Sequence, residues 1–220
     1  MSPIRLTRRR FAALAALATL GLSSPPAPAR SAAADVIADD PAIGRADAPV
    51  TIVEFSSYTC PHCAAYHAEV LPWVIATYVD TGRVRYVFHD FPLDGLAMAA
   101  SMLEHRVPRE TARAFSETLY AQQQQWATSA DPRKALTMLA ELAGLNAAGV
   151  DAALADKALF QKILDKRKEA ETAFGINATP TLAINGTAIA AMSPRQDLTA
   201  AIEGAEAAAK AGKPRPPRKP

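Results

Sequence analysis

Val50-Thr51-Ile52-Val53-Glu54-Phe55 runs through Ser56-Ser57-Tyr58-Thr59 into Cys60-Pro61-His62-Cys63. The first six residues are β-branched or apolar apart from one carboxylate. Pro49 and Ser56-Ser57 bound them, and they predict a buried strand. Pro61 suits the first turn of a helix that the pattern carries to about Val79, where Thr81-Gly82 stops it. Val84-Arg85-Tyr86-Val87-Phe88 reads as a second strand. Strand, helix and strand in so short a span form a βαβ unit, and its two strands are expected to be parallel.

Outward from this unit, the stretch 94–173 carries no strand signal. It predicts helices near 95–105, 109–126, 132–143, 147–154 and 156–173, with Pro108 and Pro132 at first-turn positions and Gly144 as a stop. Thr181-Leu182-Ala183-Ile184 and Thr187-Ala188-Ile189-Ala190 then flank Asn185-Gly186, the strongest short signal for a hairpin. A last helix is expected over 194–210, with Ser193 as its N-cap. The order is βαβ, a helical block, then ββα, an α/β class. Residues 35–48, polar and turn-rich, read as a lead-in arm.

With 50% hydrophobic and 21% charged residues among 220, the chain can bury one ordinary core. The net charge of +2 is unevenly spread. Residues 1–34 hold Arg5, Arg8, Arg9, Arg10 and Arg30 and no acid, while Lys210, Lys213, Arg215, Arg218 and Lys219 crowd the other end. The body between is acidic, which argues against a nucleic-acid partner. The basic start, the apolar run Phe11–Leu22 and the small residues after Pro28 read as a cleaved signal peptide over 1–34. Cleavage is expected after Ala34 or Ala29, and Arg8-Arg9-Arg10-Phe11 resembles a twin-arginine export signal. The run is too short to span a bilayer. A soluble periplasmic protein is the expectation, with 211–220 as a disordered basic tail.

Cys60 and Cys63 are the two cysteines of the chain. At the start of a helix, Cys60 faces free N–H groups and the positive end of the dipole, and both favour a thiolate. His62 is expected to add to this through its imidazole. A structural disulfide would close too small a loop to restrain the chain, and a zinc site would need two more ligands, for which His67, His89 and His105 show no spacing. C-x-x-C beside a βαβ pattern instead points to a redox pair. His67 reads as a surface residue, Trp73 and Trp126 as packing, Asp47 and Asp90 as solvated turn residues, and Glu203 and Glu206 as the solvated face of the last helix.

Glu54-Phe55-Ser56-Ser57-Tyr58-Thr59 before Cys60-Pro61-His62-Cys63 resembles the DsbA-type thiol:disulfide oxidoreductases, as does Gly175-Ile176-Asn177-Ala178-Thr179-Pro180-Thr181 ahead of a hairpin. The likeness covers residues 40–205 or so. It implies a thioredoxin-like fold whose halves, 35–93 and 174–210, are separated by a helical insertion at 94–173. It further implies that Cys60 is the nucleophile, Cys63 the resolving thiol, Pro180 a cis-proline facing them, Thr179 a substrate contact and Glu54 a buried acid that handles protons. Disulfide donation to unfolded or reduced exported proteins follows, with no dissociable cofactor or metal, a membrane partner of the DsbB type and a monomeric state. Thr179 departs from the Val of the best-known oxidases, which leaves a disulfide isomerase or reductase as one alternative and a copper-binding or holdase protein as another.

Overall fold

The computed structural model describes residues 36–212; the signal peptide, its cleavage sites and the basic tail from residue 213 on lie outside the described residues. Five strands form one sheet: β1 (Ala42–Ile43), β2 (Val50–Ser56), β3 (Val84–Asp90), β4 (Thr181–Ile184) and β5 (Thr187–Ala190), in the order β1-β3-β2-β4-β5. β2 and β3 are parallel, with Glu54 opposite Phe88, as a βαβ crossover requires. β4 runs antiparallel to β2 and closes on β5 through Asn185-Gly186, both residues with φ > 0 as this turn needs. The arm contributes the two-residue strand β1, which the polar composition of 35–48 concealed.

The central strand β2 is buried on both sides, which explains its nearly unbroken apolar sequence. Val50, Ile52 and Glu54 point to one face and Val53 and Phe55 to the other. On the first face α1 (Pro61–Glu69) and α2 (Leu71–Val74) join α9 (Arg195–Lys210). Tyr66, Val70, Val74, Leu198 and Ile202 pack there against Val50, Ile52, Tyr86 and Leu182. The single helix expected over 61–79 is interrupted at Val70, because Pro72 lacks the N–H that would continue the ladder. It then ends in a π-helical turn at Ile75–Val79.

Between β3 and β4 lie α3 (Gly95–Glu104), α4 (Arg109–Ala121), α5 (Gln123–Ala127), α6 (Pro132–Leu142), α7 (Ala147–Ala155) and α8 (Lys157–Phe174). Their core gathers Leu103, Phe115, Leu119, Trp126, Leu136, Ala140 and Val150, and it also contains Tyr58, Cys60 and Cys63. Asp94, Asp131, Asn146 and Asp156 cap four of these helices by accepting a backbone N–H three residues on. Ser193 makes no such cap: α9 starts after Pro194, without a side-chain cap. The second half of α8 also covers the other face of the sheet, where Ala170 and Phe174 meet Val53, Phe55 and Val87. There Asp40 of the arm binds His89 Nδ1 at 2.6 Å and Lys166 Nζ of α8, which anchors the arm across the sheet edge.

Two surface expectations change. Asp90 closes β3 half-buried and accepts from Ser101 Oγ at 2.8 Å and from His105 Nε2 at 2.9 Å. Glu206 is drawn to the sheet by Arg83 at 2.7 Å, whereas Glu203 is exposed. Trp126 is buried and donates its indole N–H to the Leu119 carbonyl at 2.7 Å. This bond replaces a backbone partner and accompanies a break at Gln122 that splits the helix expected over 109–126.

Gly44 has φ +83°, and a Cβ there would stand 2.5 Å from the Val84 carbonyl oxygen, whereas Gly175, at φ +66°, would meet nothing within 4 Å. Urea denaturation of Gly44→Ala and Gly175→Ala should therefore differ. The second should lose about 1–2 kcal/mol for the left-handed backbone alone, and the first clearly more, because it adds a clash with backbone.

Candidate active site

The chain leaves β2 at Ser56 and turns through four residues, so that Cys60 becomes the N-cap of α1, with extended backbone at φ −83°, ψ 118°. Its carbonyl accepts the N–H groups of Cys63 at 3.0 Å and Ala64 at 3.2 Å, while Pro61 occupies the first turn. The Cys60 sulfur is therefore aimed at the open end of the helix. Across from it the Thr179–Pro180 peptide bond is cis, and the Thr179 carbonyl oxygen lies 3.5 Å from Cys60 Sγ. Both cysteines are free thiols.

The electrostatics separate the two sulfurs. A hydrogen bond from the Cys63 thiol lowers the Cys60 pKa most; burial opposes it, and the Thr179 side chain and the N–H groups of Cys63 and His62 reinforce it. The net result is a fall from 9.0 to about 5. The same bond, with burial, drives Cys63 far above the ordinary thiol range. His62 acts through its main chain: its imidazole is exposed and makes no hydrogen bond to Cys60, contrary to expectation. The Thr179 hydroxyl is buried and has no hydrogen bond of normal geometry among the described residues, yet it lies near enough to the sulfur to favour the thiolate.

Glu54 sits beneath the cysteines on the α1 face of β2 and is 1% exposed. Oε2 accepts from Tyr86 at 2.7 Å, and Tyr86 in turn meets the Tyr66 hydroxyl at 2.9 Å. Oε1 takes the Ser56 hydroxyl and, at 2.8 Å, His67 Nε2. Burial alone would raise the Glu54 pKa, but the charge and hydrogen bond of His67, with Ser56 and Tyr86, hold it below the ordinary value. His67 is thus not a surface residue. Its ring stacks on Tyr120 of α4 at 3.8 Å, and only 9% of its side chain is open. A histidine seven residues after a helix-capping cysteine falls on the same face as that cysteine's neighbours, and this periodicity was the signal available in the sequence.

Gln123 was also missed. It is buried, and its Nε2 donates to the carbonyls of Tyr58 at 2.8 Å and Cys60 at 2.9 Å, tying the active-site turn to α5. In sequence it is one of four consecutive glutamines, and only its spacing of three from Trp126 marks it. Thr59 completes the frame by donating to Asp94, the cap of α3, at 2.6 Å. Elsewhere Asp90, Glu104 and His105 bring possible ligand atoms within 4.8 Å of one another, but both Asp90 oxygens already serve Ser101 and His105. A cleft of about 570 Å³ beside β1 and the π-helical turn is lined by neither cysteine nor by Thr179.

A family model described as thioredoxin matches residues 37–204. The chain belongs to this family. Within it, the DsbA-type members are those it resembles. It is 26% identical to disulfide bond formation protein D of Bacillus subtilis over 175 residues, 76% of this chain and 77% of that one. A Rickettsia bellii relative named as a protein-disulfide oxidoreductase is 27% identical over 149 residues, 67% of this chain and 58% of its own length. The chain thus spans between 39% and 58% of the length of the rickettsial relatives it matches. Among solved structures, Wolbachia pipientis alpha-DsbA1 superposes with a TM-score of 0.70 at 26% identity, over 79% of this chain and 94% of that one. The thioredoxin-like fold with helices between β3 and β4 is the DsbA arrangement.

Two outcomes check the site. Brief alkylation near pH 6 should label Cys60 and spare Cys63, as read by mass spectrometry. Thr179→Val removes the hydroxyl facing the sulfur and keeps the shape, so it should raise the Cys60 pKa by about one unit, the scale of one hydrogen bond to a charged group. A thiolate-absorbance titration measures this, and an unshifted curve would remove Thr179 from the site.

Proposed function

We propose that the chain is a thiol:disulfide oxidoreductase working as an oxidase: it donates the Cys60–Cys63 disulfide to reduced proteins exported to the periplasm. The observation that carries the reading is the pair of opposed thiols, with Cys60 lowered to about 5 and Cys63 raised, at a helix N-terminus facing Thr179 and Pro180. A substrate thiolate attacks Cys60 Sγ, the intramolecular S–S bond breaks, and Cys63 leaves with the electron pair and takes up a proton. A second substrate thiolate attacks the substrate sulfur bonded to Cys60, the new disulfide joins the two substrate sulfurs, and Cys60 is expelled as a thiolate. A thiol of such low pKa is a good leaving group and is charged at neutral pH, so the reduced enzyme is the favoured product.

The partner side of the reading rests on the sequence. The basic and apolar start with its twin arginines supports export, and a membrane protein of the DsbB type would restore the disulfide. Among the described residues no helix is long and apolar enough to cross a membrane. Exposed Leu93, next to Asp94 at the rim of the active-site turn, offers apolar surface for unfolded chains. No dissociable cofactor enters the proposed reaction, because the disulfide itself carries the two electrons.

The reduction potential of the pair tests the direction. An oxidase should lie above about −200 mV, and a value well below it would favour a reductase. A second consequence concerns stability. The Cys60 pKa is depressed on folding from 9.0 to about 5. It therefore stabilises the reduced fold fully above about pH 9, and this contribution is lost as pH falls through about 5. The disulfide form has no such group. Thermal unfolding should show a reduced-minus-oxidised difference that is larger at pH 8 than at pH 5; an equal difference at both would contradict a thiolate at Cys60.

A further inference from the structure

We infer that Gln123 is a positioning residue for disulfide exchange: from the helical insertion its side-chain amide holds the Cys60 carbonyl, and through that carbonyl it sets where the first N–H groups of α1 point relative to the Cys60 sulfur. The inference rests on the exchange activity proposed above and adds to it a residue from outside the cysteine helix.

The nitrogen of a primary amide carries two hydrogens, and here each has its own acceptor. Gln123 Nε2 lies 2.8 Å from the Tyr58 carbonyl oxygen and 2.9 Å from that of Cys60. The first bond satisfies the main-chain oxygen of a buried residue. The second does more than that, because the Cys60 carbonyl already accepts the N–H groups of Cys63 at 3.0 Å and Ala64 at 3.2 Å. A carbonyl oxygen has two lone pairs. One is turned to the helix and the other to Gln123, so the added donor supplies direction to an oxygen that was not short of a partner.

Pinning this oxygen fixes the plane of the peptide between Cys60 and Pro61. Cys60 is the N-cap and Pro61 the first helical residue, so the N–H groups that face the cap side chain are those of His62 and Cys63. A turn of the Cys60 carbonyl away from its observed ψ of 118° would carry both groups off the sulfur. The same two N–H groups are among those that favour the Cys60 thiolate. Other side chains that hold the turn act on its neighbours: the Thr59 hydroxyl reaches Asp94 at 2.6 Å in an exposed bond, and the Tyr58 hydroxyl reaches Ser116 at 3.0 Å. Gln123 binds the main chain of the nucleophile itself.

Packing of the insertion places the amide. α4 ends at Ala121, the chain breaks at Gln122, and the Trp126 indole closes the break on the Leu119 carbonyl at 2.7 Å. Of the four glutamines at 122–125, Gln123 is the buried one. Leu119 and Trp126 belong to the core that also contains Cys60 and Cys63. A hydroxyl side chain would offer one donor in place of two, and a lysine would bring a charge into a buried site, so the geometry asks for an amide of this length.

The test compares the parent chain with two variants. Gln123→Met keeps length and bulk but has no donor. Gly44→Ala destabilises the fold beside Val84, at the other end of β3 from the turn. The readouts are the Cys60 titration by thiolate absorbance, the reduction potential at pH 7, and the carbonyl resonances of reduced protein carrying carbon-13 at the cysteine carbonyls. Gln123→Met should raise the Cys60 pKa by about one unit, a tenfold weaker thiolate equilibrium. Its potential should fall by about 30 mV, the same factor converted for a two-electron couple. The Cys60 carbonyl resonance should move upfield while that of Cys63 stays in place. Gly44→Ala should lose stability and keep all three readouts at the parent values. Gln123→Asn, whose amide ends one carbon short, should shift them in the same direction as Met but less, and it serves if the Met variant does not fold. A Met variant with the titration and potential of the parent overturns the inference. So does an equal shift in Gly44→Ala, which would mark general loosening of the fold. A parent protein whose Cys60 titrates in the ordinary thiol range would defeat the exchange reading beneath it, and the inference with it.

Discussion

A thiolate inside a folded chain needs donors that are not spent on anything else, and the start of a helix supplies them. The main constraint on this molecule is the turn from β2 into α1, which makes Cys60 an N-cap with its sulfur aimed along unpaired N–H groups. Pro61 removes one N–H that would go unused. The Cys63 thiol, one turn further, donates to the Cys60 sulfur and gives the largest single stabilisation. The bond that lowers Cys60 most is also the one that raises Cys63 most, so one hydrogen bond does most to set the two thiols apart. That asymmetry suits a pair in which one sulfur leaves readily and the other stays protonated until it is needed.

The sheet holds this turn from below and the helices hold it from the side. Glu54 is a carboxylate in a fully buried strand, tolerable because Tyr86, Ser56 and His67 satisfy its oxygens. Gln123 binds two carbonyls of the turn, and Thr59 reaches the cap of α3. The helices between β3 and β4 thus share one apolar core with Tyr58, Cys60 and Cys63. The break at Gln122, stabilised by the Trp126 indole on the Leu119 carbonyl, turns Gln123 inward. A substitution in that helical core would be felt at the cysteines through these bonds.

The opposite face of the sheet is closed by different means. The arm places Val36 and Ile37 in the core beside Phe174, and it is tied by Asp40 to both His89 and Lys166. Short strand β1 then covers the β3 edge. The last helix of the run therefore serves two cores, one with α3 through Leu159 and Ile163 and one with the sheet through Ala170 and Phe174. This double packing fixes the helices relative to the sheet and keeps Gln123 and Tyr120 in register with the cysteines.

The strands β2 to β5, the hairpin at Asn185-Gly186 and the helical content of 94–173 could be read from sequence. So could a candidate redox pair, because β-branched runs, Asn-Gly and C-x-x-C are local signals whose physics is complete within a few residues, whereas the loop opposite it was implied only by the family resemblance. Strand β1 was not legible, since its pairing depends on β3 and not on its own composition. The roles of His67, Gln123 and Ser56 were equally hidden, and His62 was misjudged, because a side chain's partner can lie far away in the chain. Whether an exposed-looking histidine meets solvent or a buried carboxylate is decided by which face of α1 lies on β2 and which helix closes over it. The chain by itself determined which residues could do the chemistry. The tertiary structure decided which of them touch, because burial and hydrogen-bond distance are set by packing between elements and not by spacing within them.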